Sequence, residues 1–388
     1  MKVTNLLLLM VLLGLSLPLH SAAPVQAAPI ADTAEPYAGD VVCLPDVYLQ
    51  GAENCLPAGP SAILTEMARQ GNITKPLPVQ RPARELSQSP VMVAKINLEE
   101  YEPAPVYGTL DDAVAQSNAS RQIAPGATRY VSIINIQYVD DKAYVQLRSG
   151  EWMRASPAAI SVFQGATFTR TPANDFGWIV DAGQPRSAPG YANPNVGNIF
   201  YRETMVQIYE VASADGVDWY RIGPGQWMER RYIRQVRIDR TPPEGVTGGR
   251  WIEVNLYDQT VSVYDNYELI FATIVATGAE PYYTRPGLFQ IYQKKPLETM
   301  QGAFEADRSD FYYLEDVPWT MYFDEARALH GAYWRALYGY EGTHGCVNFS
   351  IGDAAWLFQW ANEGDWVYVW DPSGRTPTDP TLYTAGGA

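Results

Sequence analysis

The stretch Tyr340–Ser350 reads Y-E-G-T-H-G-C-V-N-F-S and holds one of the three cysteines and one of the three histidines of a 388-residue chain. Just upstream, A-L-H-G-A carries His330, and the remaining histidine, His20, lies near the N-terminus. His330, His344 and Cys346 therefore fall within seventeen residues of one another. A thiol with an ordinary pKa of about 8.5 is mostly protonated at neutral pH, so nucleophilic work needs a base or a cation beside it; histidine can be either. Gly345 lets the backbone bend tightly before Cys346, so that neighbouring N–H groups could converge on an oxyanion.

Three readings of this cluster stand side by side. The first is a Cys–His nucleophile pair. The second is a zinc set, two imidazoles and a thiolate with an open fourth position, although His344 and Cys346, two apart on a turn, match no common ligand spacing. The third is a loop whose residues merely pack. A papain-like order fits poorly, because there the cysteine precedes its histidine by a long distance.

The rest of the chain sets the context. Lys2 followed by the apolar run Leu6–Leu17 is too short to span a bilayer and precedes small residues around Ala27, so residues 1–27 are expected to be a signal peptide and the protein to be exported. A retained anchor is the competing reading; after cleavage no membrane insertion is expected. The formal charge of −15 argues against partnership with nucleic acid or anionic lipid. An exported chain meets disulfide-permissive conditions. Cys43 and Cys55, in C-L-P-D-V-Y-L-Q-G-A-E-N-C, are natural partners, which leaves Cys346 as a single thiol that needs an explanation.

Residues 28–100 are Pro- and Ala-rich and read as an extended lead-in. An internal repeat follows. Arg129 onward reads R-Y-V-S-I-I-N-I-Q-Y-V-D-D-K-A-Y-V-Q-L-R-S-G-E-W-M-R, and Thr204 onward reads T-M-V-Q-I-Y-E-V-A-S-A-D-G-V-D-W-Y-R-I-G-P-G-Q-W-M-E. At a constant offset of 75, Val131 matches Val206, Ile133 matches Ile208, Leu147 matches Ile222, and Gly150, Trp152 and Met153 match Gly225, Trp227 and Met228. Short alternating strands with turns at D-D-K and A-D-G predict two small β-barrels, within 101–160 and 161–240, that resemble bacterial SH3-like domains. Beyond the linker T-P-P-E-G-V-T-G-G, the run from Arg250 predicts three strands with turns at D-Q and D-N. Ser350 and Asp353 predict a capped helix over D-A-A-W-L-F-Q-W-A-N, stopped by Gly364, and Trp366–Trp370 returns as a strand. The whole is expected to be mainly β, with few helices.

His330, a twelve-residue spacer and then Thr343-His344-Gly345-Cys346-Val347-Asn348 closely resemble the signature of the L,D-transpeptidase catalytic domain, the YkuD family. The resemblance covers about 249–372, with 373–388 left as a tail. T-R-P-G-L-F (Thr284–Phe289) departs from the family's T-P-x-G-x-F by moving the proline one position. The resemblance implies that Cys346 is the nucleophile, His330 the base, and Gly331 the carbonyl that orients the imidazole. It implies that His344, Gly345 and Cys346 offer backbone donors to the oxyanion, and that Thr343 and Asn348 support the loop. The substrate implied is the peptidoglycan stem tetrapeptide. Thioester formation would release D-alanine, and transfer to an amine would give a 3→3 cross-link, with no cofactor or metal. Water as acceptor would make the site a carboxypeptidase. A cysteine peptidase acting on other peptides, and a non-catalytic wall-binding protein gripping the wall through the repeats, are the alternatives. Tyr312, Tyr313, Trp319 and Tyr322 are candidates for the acyl-pocket wall, with ordinary core packing the competing reading of each.

Overall fold

The computed structural model describes residues 77–80, 82–305, 307–308 and 310–383. The expected signal segment and the Cys43–Cys55 pair lie outside these residues. The architecture is mainly β. Among the described residues there are two α-helices, α1 (Leu110–Ala115) and α2 (Ile351–Trp360), and no helix long and apolar enough to cross a membrane.

The run from Arg250 forms three strands as expected, Trp251–Asn255, Thr260–Asp265 and Glu268–Ile274, each antiparallel to the next. Trp366–Trp370 returns parallel to the first of them and extends the sheet. Gly287–Gln290 forms one edge, and Ala166–Phe168 followed by Val79–Gln80 forms the other. Alternation in Trp251–Asn255 predicts one wet face, yet all five residues are buried. Ile252 and Val254 face a core with Phe271, Val367 and Leu357 of α2, whereas Trp251 faces a second core with Phe176 and Trp178. Chain preceding the linker thus covers the face that the sequence pattern leaves to solvent, and Trp251 stacks on Tyr264 there at 4.4 Å between ring centroids.

A second sheet of eleven strands carries the histidine and cysteine. Val347–Phe349 lies parallel to Arg327–Gly331, which is antiparallel to the long strand Tyr312–Asp324. Gln293–Gly302 pairs antiparallel with that long strand along most of its length. The start of the same strand, Tyr312–Leu314, pairs in parallel with Thr128–Tyr130 of the first repeat. The first repeat and the His330 strand therefore belong to one continuous sheet. Met92–Lys95, from the stretch read as a lead-in, also pairs with the first repeat and buries Val93 and Ala94.

The repeated positions Val131, Ile133, Leu147 and Met153 are buried, as are their counterparts Val206, Ile208, Ile222 and Met228. The repeat therefore records shared core packing. Its turns are left-handed hairpin turns, with positive φ at Asp140 and Asp141 in one and at Asp215 and Gly216 in the other. Among the described residues no sheet closes on itself as a barrel.

Helix α2 starts where its cap predicts: the Ser350 hydroxyl accepts from the Asp353 N–H at 3.2 Å. The Asp353 carboxylate turns inward, accepting from the Gly165 N–H at 2.8 Å and the Thr273 hydroxyl at 2.5 Å. It joins helix, sheet and inter-repeat segment at one fully buried point.

Candidate active site

His330 lies near the end of Arg327–Gly331, and parallel pairing sets it across from Asn348, with Leu329 across from Val347. Cys346 is the residue immediately before that partner strand. Its sulfur accepts from the Ala328 N–H at 3.4 Å, and its thiol faces the Ala326 carbonyl at 3.8 Å. Cysteine and histidine, sixteen positions apart, are brought together by this register. Both are buried and line one cavity of about 300 Å³.

The imidazole Nδ1 of His330 lies 3.2 Å from the Gly331 carbonyl oxygen. A carbonyl can only accept, so the contact places the proton on Nδ1 and leaves Nε2 with its lone pair. Glycine at 331 also lets α2 approach: a Cβ there would stand 3.1 Å from Ile351 and 3.3 Å from Ala354. Burial pushes the His330 pKa down to about 4, the Gly331 bond opposing and the Arg335 charge assisting. Burial pushes the Cys346 thiol up to about 11, against the Ala328 N–H and the Arg327 charge. The resting pair is a neutral thiol and a neutral imidazole.

The T-H-G-C loop is held from several directions. The Thr343 hydroxyl donates to the Cys346 carbonyl at 2.6 Å and accepts from the Gly345 N–H at 3.2 Å. Gly345 has φ +117, a conformation that favours glycine. Its carbonyl accepts from the Thr284 hydroxyl at 2.8 Å, so the threonine of the shifted T-R-P-G-L-F braces the loop from 61 residues away. Asn348 is buried, its N–H donating to the Ala276 carbonyl at 2.8 Å, while its Oδ1 has no hydrogen-bond partner among the described residues. His344 lies half-buried in an aromatic stack, 4.5 Å from Phe304 and 6.0 Å from Tyr312 between centroids. Burial lowers its pKa, with Asp310 opposing.

Of the aromatic candidates, Tyr312 lines the cavity. Tyr313 bonds Glu315 at 2.6 Å, Trp319 packs on Phe358 beneath the sheet, and Tyr322 stacks on Tyr292; none of these three lines the cavity. Sequence reasoning did not single out Trp334, whose ring is tilted on His330 at 5.6 Å, or Arg335, Asp310, Met300 and the first-repeat residues Ala127 and Thr128, all of which line the cavity. The short distance of Trp334 and Arg335 from His330 in the chain was the one available signal.

Residues 249–369 match the model of the YkuD family, described as the L,D-transpeptidase catalytic domain. This region is a YkuD-type L,D-transpeptidase domain. Among solved structures, the domain resembles a crystal structure of an Enterococcus faecium L,D-transpeptidase mutant at 24% identity, covering 31% of this chain and 49% of that one, with a TM-score of 0.29. It resembles an L,D-transpeptidase from Stackebrandtia nassauensis at 27% identity, covering 35% and 60%, with a TM-score of 0.28. It also resembles the isolated E. faecium catalytic domain at 26% identity, covering 32% and 100%, with a TM-score of 0.29. The chain spans about half the length of the first solved structures it resembles. No curated protein matches it. In the YkuD-type domain the signature residues Thr343–Asn348 form the loop and strand start just described, with His330 across from their end.

Proposed function

We propose that the protein is an exported cysteine L,D-transpeptidase that acts on peptidoglycan stem tetrapeptides. The observation that carries this reading is the shared cavity of His330 and Cys346, with the Gly331 carbonyl fixing the imidazole tautomer. The Nε2 of His330 takes the thiol proton as Cys346 Sγ attacks the carbonyl carbon of the third stem residue. The S–C bond forms, the C–N bond to the terminal D-alanine breaks, and the imidazolium returns its proton to the departing amine. An amine from a neighbouring stem then displaces sulfur from the thioester, giving the 3→3 cross-link. The Gly345 N–H is held by Thr343, so the oxyanion donors narrow to the N–H groups of His344 and Cys346. Because both members of the pair rest neutral, proton transfer accompanies attack and no ion pair is stored beforehand.

The repeats, read as SH3-like modules from their sequence, would hold the domain against the wall. Export rests on the N-terminal apolar segment. The test is incubation of the mature protein with a defined tetrapeptide stem, following D-alanine and dimer by mass spectrometry. D-alanine release together with dimer supports transpeptidation, release without dimer indicates a carboxypeptidase, and no release at all overturns the reading.

A further inference from the structure

The cavity holds a cation to which acyl transfer assigns no task. Arg335 lies five residues after His330 and lines the cavity with His330, Trp334 and Cys346. Its Nη2 donates to the Gly342 carbonyl, and its Nε is buried with no hydrogen-bond partner among the described residues. No carboxylate pairs with it among the described residues. Several arginines here are answered by acids: Arg327 and Arg285 share Asp324, Arg250 contacts Asp265 and Asp365, and Arg230, whose Nε is also unpartnered, contacts Asp258. Among the described residues Arg234, outside this cavity, donates only to the carbonyls of Gly339, Arg231 and Ile233. Arg129, fully buried and also without an acid, donates to the carbonyls of Glu99, Glu102 and Ala124. A guanidinium with a buried and unanswered donor is costly unless a ligand answers it.

The remaining charge at the cavity does not supply that answer. Asp310 accepts from the N–H groups of Phe304 and Glu305 at 2.9 and 3.1 Å, and both histidines are held toward the neutral form by burial. Two formal charges therefore line the cavity, Asp310 and Arg335, and Arg335 is the one that an anionic ligand can pair with.

We infer that Arg335 forms a carboxylate-binding subsite that takes the free C-terminal carboxylate of a peptide whose last peptide bond is the one attacked by Cys346. The identity of the peptide rests on the acyl-transfer reading above; the anion subsite does not. In such a peptide only the nitrogen and Cα of the leaving residue separate the scissile carbonyl carbon from the carboxylate carbon, a span under about 4 Å. An anion subsite sharing the cavity with the thiol therefore selects for one residue beyond the cut. A guanidinium fork matches a carboxylate with two charge-assisted hydrogen bonds, whereas an amidated or extended terminus places a neutral group there. Arg335 contacts substrate away from the reacting atoms and sets specificity.

Two measurements on the mature full chain test this. In the first, Cys346 is alkylated with iodoacetate and with iodoacetamide, and the modified peptide is quantified by mass. The anionic-to-neutral rate ratio is expected to fall about tenfold in Arg335→Gln and to be largely kept in Arg335→Lys; an unchanged ratio in Arg335→Gln overturns the subsite. In the second, a tetrapeptide with a free terminus is compared with its C-terminal carboxamide. The wild type should favour the free acid, chiefly through KM, and Arg335→Gln should lose that preference. If Arg335→Gln does not fold, wild-type protection from iodoacetamide by acetate but not by acetamide reads the same subsite, and equal protection by both overturns it. A reduced reagent ratio with neither peptide turned over would keep the subsite and sink the acyl-transfer reading. Turnover of both peptides at equal rates would do the reverse.

Discussion

His330 stands directly across from Asn348 in a parallel strand pair, flanked by Leu329 across from Val347 and Gly331 across from Phe349. That register carries Cys346 to the level of Ala328, whose N–H meets the sulfur. It also leaves Gly331 free to offer its carbonyl to the imidazole of the residue before it. A slip of one residue would turn His330 to the opposite face of the sheet.

Cys346→Ala should abolish acyl transfer and leave the fold intact. The side chain is small, and its loss removes one weak sulfur contact from each of two backbone groups. D-alanine release and the thermal melt decide together. Turnover at the wild-type rate in the variant would assign the nucleophile elsewhere.

The two histidines should separate kinetically. His330→Ala removes the proton acceptor and should lower kcat by about 10²–10⁴. His344 contributes a ring to the stack with Phe304 and Tyr312, so His344→Ala should be milder and act mainly through KM. If His344→Ala carried the larger kcat loss, the base would lie inside T-H-G-C and the two roles would have to be exchanged.

The pH dependence of alkylation should reveal a neutral pair. With the thiol pushed up to about 11 and the imidazole down to about 4, neither group changes charge between those values. The iodoacetamide rate at Cys346 should therefore keep climbing with pH into the strongly basic range. A plateau reached below pH 7 would mean a preformed thiolate–imidazolium pair and would contradict this assignment.

Asp353→Ala should cost about 2–4 kcal/mol, because it leaves the buried Gly165 N–H and Thr273 hydroxyl without their acceptor. Burial raises the Asp353 pKa to about 6 in the folded protein, above its ordinary value of 3.8. A group raised on folding favours the native state most at low pH, and its contribution is lost as pH rises through the folded value. Denaturant melts should therefore show the wild type gaining on Asp353→Asn as pH falls from 7 to 4. A constant gap would mean that Asp353 is not protonated on folding in that range.

The residues proposed to carry the chemistry lie close together in the chain, which made their grouping legible: His330, Thr343–Asn348 and the Ser350 cap all fall within about twenty residues. Local rules reach that far, which is why the three strands after Arg250, helix α2 and the Trp366–Trp370 strand lie where their patterns put them. What decides the cavity wall is not local. Ala127 and Thr128 reach it through a parallel pairing that spans about 185 residues, and Thr284 braces Gly345 across a loop. Among the four aromatic candidates no pattern could tell Tyr312 from Tyr313, since adjacent strand residues face opposite sides and the cavity side is set by neighbours distant in sequence.

The parallel pairing of Tyr312–Leu314 with Thr128–Tyr130 makes the first repeat a poor candidate for removal by truncation. A fragment starting at the linker would bare the hydrogen-bonding groups of an aromatic-rich strand edge that the intact chain keeps covered. Uncovered edges of that kind recruit strands from other molecules, so such a fragment would tend to self-associate, and a solubility screen of truncations should find its break point ahead of residue 128 rather than at the linker.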